Sequence, residues 1–195
     1  IDHSSSGYDA QNPYKDRDPR LELYIVVNGS KMGPGSNDIN TAADNNQNND
    51  GLNKISTSTR TGYYMRKLLR EDVNLDPTGT TTQKHVIPRI RYTELYLAYA
   101  EAANEAWGPD GTGTFSFSAR DVIGAIRSRA GIEQPDLYLA SIPGGDAGKA
   151  EMRNLIHNER RLELCFEGFR FWDLRRWKQP LDEAARGVRI TNGVH

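Results

Sequence analysis

The stretch LIHNERRLELCFEGFRFWDLRRWK, residues 155–178, decides the fold that this chain can adopt. In a helix over 155–167, with residues about 100° apart, the larger apolar side chains share one face and Glu159 lies in its middle. A carboxylate buried there needs a cation or several N–H donors, because burying an unpaired charge costs on the order of several kcal/mol. We therefore predict an arginine partner. The apolar face comprises Leu155, Leu162, Phe166 and Phe169, and the candidate partners are Arg160, Arg161, Arg170, Arg175, Arg176, Arg127 and Arg129.

Gly168 interrupts this helix and predicts a bend before a second, short helix over 169–178. That second helix would carry a new apolar row of Phe171, Leu174 and Trp177. A core helix with a charged rim is favoured over an arginine-lined anion site, because ion-paired arginines beside aromatic rings are more often scaffold than site.

The spacing in this stretch is distinctive: Glu-Arg-Arg-x-Glu-Leu is followed by Glu-Gly-x-Arg-x-x-Asp-Leu-x-Arg-Trp. In this pattern the sequence resembles the SusD/RagB family of outer-membrane nutrient-binding lipoproteins of Bacteroidota. The run Asp-Pro-Arg-Leu at 18–21, before an apolar segment, extends the resemblance upstream. The structural ion-pair signature comprises Glu159, Arg160, Arg161, Glu163, Glu167, Arg170, Asp173 and Arg176, and Leu164, Gly168, Leu174 and Trp177 complete the match.

The resemblance implies a mainly α fold with tetratricopeptide-like helix pairs, long irregular loops and a few short strands. It implies a non-catalytic surface protein that captures glycan, or in some members peptide, fragments. Such a protein delivers them to a SusC-like TonB-dependent transporter and uses no cofactor. The expected location is the cell outer membrane, as a surface-exposed lipoprotein. Because family members are considerably longer, the chain is expected to be a C-terminal portion whose signal and lipid anchor are not in this sequence.

Length and composition limit the other possibilities. A chain of 195 residues predicts a single domain, 1–195, with a loop-rich part with short strands at 1–90, a helical scaffold at 91–178 and a tail at 179–195. A hydrophobic content of 36% and a mean hydropathy of -0.72 indicate many exposed loops. A net charge of -1 predicts no general attraction to nucleic acid. The single cysteine, Cys165, is predicted to be a small buried hydrophobe.

The first half of the chain is predicted to be mostly irregular. LELYIVV at 21–27 is read as a strand, and YYMRKLL at 63–69 as a second strand or extended segment. Between them, residues 30–61 form a long loop rich in Gly, Ser, Asn and Asp. Its Asn/Asp run does not fit a calcium loop, since Asn49 stands where glycine is required and Ile55 where a bidentate glutamate is required. A solvated loop is therefore favoured over a metal site.

The same loop supplies the candidate ligand contacts. Sugars bind through aromatic stacking together with hydrogen bonds from polar side chains. Because residues 25–62 contain no Phe, Tyr or Trp, either the stacking platform lies elsewhere or polar groups hold the ligand. The predicted contacts are Tyr24, Asn45, Asn46, Asn48 and Asn49.

The second half is predicted to be helical. Tyr92 starts a helix with apolar residues three and four apart, and Gly108-Pro109 ends it. Ser118 and Asp121 predict a capping box at the start of the next helix, which runs to Gly131. Residues 134–150 are read as a second Gly- and Pro-rich loop, and the chain is predicted to trail off after position 180.

Several kinds of site are excluded by their missing residues. The segment PGGDAGKA at 143–150 lacks the first glycine and the Ser/Thr of a P-loop, and the scattered histidines offer no zinc-protease motif. No catalytic residue and no metal ligand is therefore predicted. Two alternatives to the binding subunit stay open: a protein-interaction scaffold of tetratricopeptide type and, with less support, a glycan-acting enzyme.

Overall fold

The computed structural model describes residues 8–194 and is mainly α, as expected. Within these residues, four short strands lie in the first part and most of the helical residues lie in the second. The helices are α1 Arg20–Tyr24, α2 Tyr92–Trp107, α3 Ala119–Arg129, α4 Leu137–Ser141, α5 Gly145–Glu163 and α6 Phe169–Arg176. The strands are β1 Ile25–Val26, β2 Lys31–Met32, β3 Asn37–Asp38 and β4 Tyr64–Met65. Within residues 8–194, no helix is both long enough and apolar enough to cross a membrane.

The chain divides into two compact units. The loop-rich unit runs up to Ile87 and includes the chain again from Asp182, whereas the helical unit is Pro88–Leu181. The assignment of residues 1–195 to a single domain stays a prediction.

The core of the helical unit lies where α2 packs against both α3 and α5. Alanines on α2 keep its contact face narrow and allow the neighbouring helices to approach closely. Burial of this apolar surface contributes roughly 25 cal/mol per Å². The core includes Leu97, Ala100 and Ala103 from α2, Val122, Ile123 and Ile126 from α3, and Met152, Leu155 and Ile156 from α5.

The predicted end of α2 and the predicted start of α3 are confirmed, whereas α3 ends at Arg129, two residues before the predicted Gly131. Gly108 ends α2 with a φ of 77°, and the Cβ of any larger residue would lie 2.9 Å from the Gly145 carbonyl oxygen. Ser118 caps α3: its hydroxyl accepts from the Asp121 N–H, and the Asp121 carboxylate accepts from the Ser118 N–H at 2.8 Å. The capping box therefore forms with aspartate in place of the usual glutamate.

The prediction of a loop over 134–150 is wrong. Asp136 caps α4, because its carboxylate accepts from the Leu139 N–H at 3.0 Å. Helix α5 then begins at Gly145, well before the predicted start at Leu155. Gly148 accounts for the misreading, since it lies inside α5 where a Cβ would be 1.7 Å from the Pro143 carbonyl oxygen. Glycine serves close packing here and does not mark a loop.

The end of α5 also differs from the prediction. The helix ends at Glu163, and Phe166 adopts a left-handed φ of 63° with its side chain 48% exposed. Phe166 therefore does not join the buried face on which the periodicity placed it. Cys165 is half-buried in the same turn. Gly168, with a φ of 84°, provides the predicted bend before α6, whose Phe171 is exposed.

The predicted strand at 21–27 is only partly correct. Its first residues form α1, because Asp18 accepts from the Arg20 N–H at 2.9 Å and the Arg20 guanidinium pairs with the same carboxylate. Strand β1 pairs antiparallel with β4, so only Tyr64 and Met65 of the second predicted strand are in a sheet. Strands β2 and β3 form a separate antiparallel pair.

The last part of the chain does not trail off. Ile190 is 2% exposed, and its carbonyl accepts from the Ala43 N–H at 2.8 Å. The Val188 N–H donates to the Thr61 carbonyl at 2.8 Å, and Asn192 bonds the Asp44 carboxylate through its N–H. Residues 188–192 thus close the loop-rich unit.

Candidate functional site

Glu159 is fully buried in the middle of α5 and is held by an arginine from α3. The Arg127 Nη1 lies 2.7 Å from the Glu159 Oε1, and the same guanidinium also pairs with Asp136. Two carboxylates and one guanidinium therefore share a nearly closed site between the helices. The prediction that an arginine meets a buried Glu159 is confirmed.

Arg127 also controls the charge state of Asp136. Burial raises the pKa of Asp136, but hydrogen bonds from the Arg127 guanidinium and the Leu139 N–H outweigh burial and hold the pKa below its usual value. The carboxylate is therefore ionised at neutral pH. An ionised acid at this position caps α4 and fixes it against α3.

A second group of ion pairs joins the end of α5 to the start of α2. The Glu163 Oε1 lies 2.5 Å from the Arg129 Nη2, and the Arg129 Nη1 donates to the Thr93 hydroxyl at 3.1 Å. Arg91 donates to both carboxylate oxygens of Glu167, through Nε at 2.9 Å and Nη2 at 2.7 Å, and its Nη2 also donates to the Glu163 carbonyl at 2.9 Å. Such bidentate pairs fix orientation as well as distance.

A third group joins α6 to α5 and α2. Arg160 and Asp173 form a buried bidentate pair with both bonds at 3.0 Å. Arg176 spans Asp173, at 3.0 Å, and Glu101 on α2. The Trp177 indole N–H donates to the Glu101 Oε1 at 3.0 Å.

His157 completes this third group. Its ring stacks on the Trp177 ring, with centroids 3.5 Å apart and planes inclined by 15°, and its Nε2 lies 4.0 Å from the Glu101 carboxylate. Burial lowers the pKa of His157 below its usual value, and the Glu101 charge offsets this only in part. Of the remaining signature arginines, Arg161 is exposed and Arg170 is half-buried.

These three groups form a scaffold, since their acids are paired with arginines and most are buried. Sequence reasoning named Arg127 and Arg129 on α3, but it missed other partners from outside α5, above all Arg91, Glu101 and Asp136. Periodicity within one helix cannot indicate them, because the pairs join positions far apart in the chain.

The long loop of the loop-rich unit is held together by its own asparagines. Asn45 is 4% exposed, and its Nδ2 donates to the Asn40 carbonyl at 2.8 Å and to the Asn48 Oδ1 at 2.6 Å. The Asn45 Oδ1 accepts from the Gln47 N–H at 2.9 Å. Gly51 packs beneath this turn, where a Cβ would lie 2.8 Å from the Ala42 carbonyl oxygen. Asn45 therefore supports the loop rather than facing solvent.

The other candidate contacts on the loop are more open. Asn46, Asn48 and Asn49 are exposed. The Asn48 Oδ1 also accepts from the Asp50 N–H at 3.0 Å, and the Asn49 backbone carbonyl accepts from the Ser58 hydroxyl at 2.6 Å. These bonds order the loop and leave amide groups on its surface.

Tyr24 belongs to the same unit and is half-buried. The Lys67 ammonium lies 4.3 Å from the centroid of its ring, and its backbone carbonyl accepts from the Arg66 N–H at 2.9 Å. Across residues 8–194, no group of three or more His, Cys, Asp or Glu is arranged to hold a metal ion.

Comparison with known proteins identifies the family. A model of the SusD family matches residues 1–192. The chain belongs to the SusD family. The match covers the ion-paired helices and the asparagine loop alike.

Two solved structures extend this assignment to three dimensions. A SusD-like carbohydrate-binding protein from Bacteroides fragilis superposes with a TM-score of 0.66 at 29% identity, over 91% of this chain. A second SusD-like protein from Bacteroides fragilis gives a TM-score of 0.60 at 28% identity, over 89% of this chain. The SusD fold therefore holds for nearly the whole sequence.

Relatives in Formosa agariphila show the same likeness in sequence. One SusD-like protein is 33% identical over 100 residues, which is 51% of this chain and 18% of the relative. Another is 32% identical over 112 residues, which is 56% of this chain and 20% of the relative. The match spans about a fifth of these proteins and 32% of each solved structure.

Proposed function

We propose that this SusD-family protein binds glycan fragments at the cell surface and releases them unaltered to a transporter. The observation that carries the proposal is the match, at 29% identity over 91% of this chain, to a carbohydrate-binding protein of Bacteroides fragilis. Peptide fragments are a second ligand class that the same architecture would admit.

Two acids of the helical scaffold, Glu101 and Asp136, do not suit the proton-donating role in glycoside hydrolysis. Glycoside hydrolysis uses a carboxylic acid whose pKa is raised, so that it can donate a proton. In the helical scaffold, the pKa values of Glu101 and Asp136 are lowered rather than raised. Burial raises the pKa of each acid, but hydrogen bonds from arginines and from Trp177 or Leu139 outweigh burial and leave both pKa values lowered.

The asparagine loop is the proposed contact surface. Amide groups donate and accept hydrogen bonds at once, which suits sugar hydroxyls. Asn46, Asn48 and Asn49 are exposed on a loop that buried Asn45 holds in shape, and an ordered loop loses less entropy on binding. In this proposal the exposed amides contact ligand, and Tyr24 contributes its ring from the same unit.

The proposed partner is a SusC-like TonB-dependent transporter in the outer membrane, and the proposed location is the cell surface, through a lipid anchor. This part of the proposal rests on family membership. It predicts co-purification with such a transporter from outer-membrane extracts.

The test is calorimetry of the purified chain, and of a longer form, against a panel of glycans and peptides, with a parallel assay for released reducing ends. Saturable binding without new reducing ends is the expected result. Release of reducing ends would overturn the non-catalytic proposal and support a glycan-acting enzyme.

Asn46→Ala and Asn49→Ala test the contact surface, with Asn154→Ala, an exposed asparagine on α5, as the matched control. Loss of a single hydrogen bond to ligand is expected to weaken binding by roughly 3- to 10-fold. The control should leave binding unchanged. Equal affinity for ligand in all three variants would show that the loop does not contact the ligand.

A further inference from the structure

Two aromatic side chains are exposed in the connection between α2 and α3. Trp107 is the last residue of α2 and is 43% exposed, and Phe115, further along the connection, is 52% exposed. Their ring centroids are 6.1 Å apart, and the ring planes are inclined by 49°. We call this pair the aromatic platform. The two rings form a shallow, angled apolar surface.

The Trp107 ring is held in place by glycine backbone. A Cβ on Gly113 would lie 2.5–2.7 Å from three adjacent carbons of the indole six-membered ring, so Gly113 lies against the face of that ring. A Cβ on Gly111 would lie 2.4 Å from the Trp107 Cβ. Gly113 also has a left-handed φ of 57°, which favours glycine. The connection is therefore folded around Trp107 and leaves part of its ring open to solvent.

Phe115 is supported by a side chain of α2. Its ring packs edge-on against the Tyr99 ring, with centroids 5.5 Å apart and planes inclined by 88°. The Tyr99 hydroxyl donates to the Phe117 carbonyl at 2.7 Å, and the Phe115 N–H donates to the Thr112 carbonyl at 2.9 Å. Both rings are therefore ordered before any ligand arrives, which lowers the entropy cost of binding.

The groups around the platform are polar and uncharged or already paired. Residues 108–118, GPDGTGTFSFS, contain no Leu, Ile, Val or Met, and Asp110 is their only charged residue. Its carboxylate binds the Arg120 guanidinium at 2.6 Å. Within residues 8–194, no hydrogen bond engages the Trp107 indole N–H. Rings beside hydroxyl groups and an available N–H suit a sugar, whereas the aliphatic side chains that complete the core of a protein–protein interface are missing from this segment.

The asparagine loop offers no ring on which a sugar can stack, because residues 25–62 contain no Phe, Tyr or Trp. Given the proposed glycan-binding function, on which this inference rests, we propose that the aromatic platform is a glycan contact site in the helical unit. Trp107 and Phe115 stack on two successive rings of a neutral oligosaccharide. The inclination of the two rings suits sugar rings that are turned relative to each other, as in a twisted chain.

Calorimetry with linear neutral hexasaccharides of glucose, xylose and mannose tests the platform. Trp107→Leu keeps an apolar side chain for Gly113 to pack on but removes the flat ring, and Phe115→Ala removes the second ring. Each should weaken binding of the tightest-binding hexasaccharide by about tenfold. Trp172→Ala, at a tryptophan on α6 that is 67% exposed, is the matched control and should bind as the unaltered chain does.

Tryptophan fluorescence separates direct contact from a general loss of structure. A sugar stacked on Trp107 should change the emission of the unaltered chain and of Trp172→Phe with the same saturable dependence on sugar concentration. The emission of Trp107→Leu should not respond. A response that persists in Trp107→Leu and disappears in Trp172→Phe would overturn the proposal.

Gly113→Ala tests the placement of the Trp107 ring without removing it. The new Cβ would displace the ring and should weaken binding of the hexasaccharide. Gly145→Ala is the control, because Gly145 has a similar φ of 62° but open space where its Cβ would lie. Equal losses of affinity in the two variants would overturn the role of the ring.

The outcomes separate this inference from the proposed function. If the unaltered chain binds a glycan and both Trp107→Leu and Phe115→Ala bind it equally well, the platform is overturned and the proposed function stands. Failure of the unaltered chain to bind any glycan would overturn both. Tighter binding of uronic acid oligosaccharides would overturn the neutral ligand class. Self-association of the chain that Trp107→Leu abolishes would also overturn the proposal, since a second copy would then cover the rings.

Discussion

The contacts inside the helical unit differ in kind from the contacts inside the loop-rich unit. In the helical unit, guanidinium groups join positions far apart in sequence, such as Arg127 with Glu159 and Arg91 with Glu167, which are 32 and 76 residues apart. In the loop-rich unit, many side-chain bonds are local, such as Asn45 with Asn48, three residues apart. Residues 188–192 close that unit from a distance. Loss of one buried ion-pair partner should therefore destabilise the whole helical unit, whereas loss of a loop contact should open the loop only locally.

All three tryptophans of the chain, Trp107, Trp172 and Trp177, lie in the helical unit. Tryptophan fluorescence therefore follows unfolding of that unit, and amide hydrogen exchange can follow the loop separately.

The largest expected effect is that of Arg127→Ala. It removes the cation between buried Glu159 and Asp136 and should lower the free energy of unfolding by about 3–5 kcal/mol, since two buried carboxylates each lose a guanidinium partner. Urea unfolding followed by tryptophan fluorescence measures this loss. Arg153→Ala is the control, because its pair with Glu105 is exposed and should be worth about 1 kcal/mol or less. Equal losses in the two variants would contradict the scaffold role of Arg127.

The second prediction compares one glycine from each unit. Gly148→Ala should cost about 1–3 kcal/mol, because its Cβ would meet the Pro143 carbonyl at 1.7 Å and backbone must shift. In Gly51→Ala the new Cβ would lie 2.8 Å from the Ala42 carbonyl oxygen, so this substitution should destabilise mainly the loop. Urea unfolding and hydrogen exchange together separate the two effects.

The control for this comparison is Gly124→Ala on α3. Its Cβ would approach only the flexible end of Leu139, at 3.3 Å, and alanine is the better helix former. If Gly124→Ala lowered the free energy of unfolding as much as Gly148→Ala does, the close contact between position 148 and Pro143 would not explain the loss.

The third prediction concerns the loop. Asn45→Ala removes the bonds to Asn40 and Asn48, and it should speed exchange of the Gln47 and Asp50 amides by about tenfold, because these amides depend on the same turn. Unfolding detected by tryptophan fluorescence should not change. Asn46→Ala, at an exposed neighbour, is the control for exchange. If Asn45→Ala instead shifted the unfolding transition detected by tryptophan fluorescence, the loop and the helical unit would not unfold independently.

The smallest expected effect is the pH dependence of the helical unit. The pKa of His157 is lowered from 6.5 by burial, despite the nearby Glu101, and Arg176 and Arg153 lower it further. Below pH 6.5 the unfolded chain therefore binds a proton that the folded unit resists, so stability should fall as the pH decreases from that value. The pKa of Glu101 is lowered from 4.5 by the bonds from Arg176 and Trp177, which outweigh burial, so a further loss should follow below pH 4.5.

His157→Phe separates these two losses. Phenylalanine keeps a ring against Trp177 and cannot titrate, so the fall that begins at pH 6.5 should disappear while the loss below pH 4.5 remains. Urea unfolding over a pH series measures both. An unchanged pH profile in the variant would assign the first loss to another group.

Much of the helical unit could be predicted from local patterns. The apolar spacing after Tyr92, the Ser118 cap and the Gly168 bend each depend on neighbouring residues, and each appears in the structure. The errors arose where a residue has a packing or capping role that its residue type alone does not reveal. Gly148 was read as part of a loop although it allows α5 to pack on Pro143, and Leu21 was read as strand although Asp18 starts a helix there.

By itself, the sequence determined that Glu159 lies on the buried side of a helix and needs a guanidinium partner, because periodicity and the cost of burying a charge are local facts. It also carried the family pattern over 155–178. Only the tertiary structure decided that the partner is Arg127, that Arg91 holds Glu163 and Glu167, and that Trp107 and Phe115 stay exposed. Several arginines were chemically equivalent candidates, and the packing of α3 against α5 brought Arg127, with the right geometry, to the buried acid.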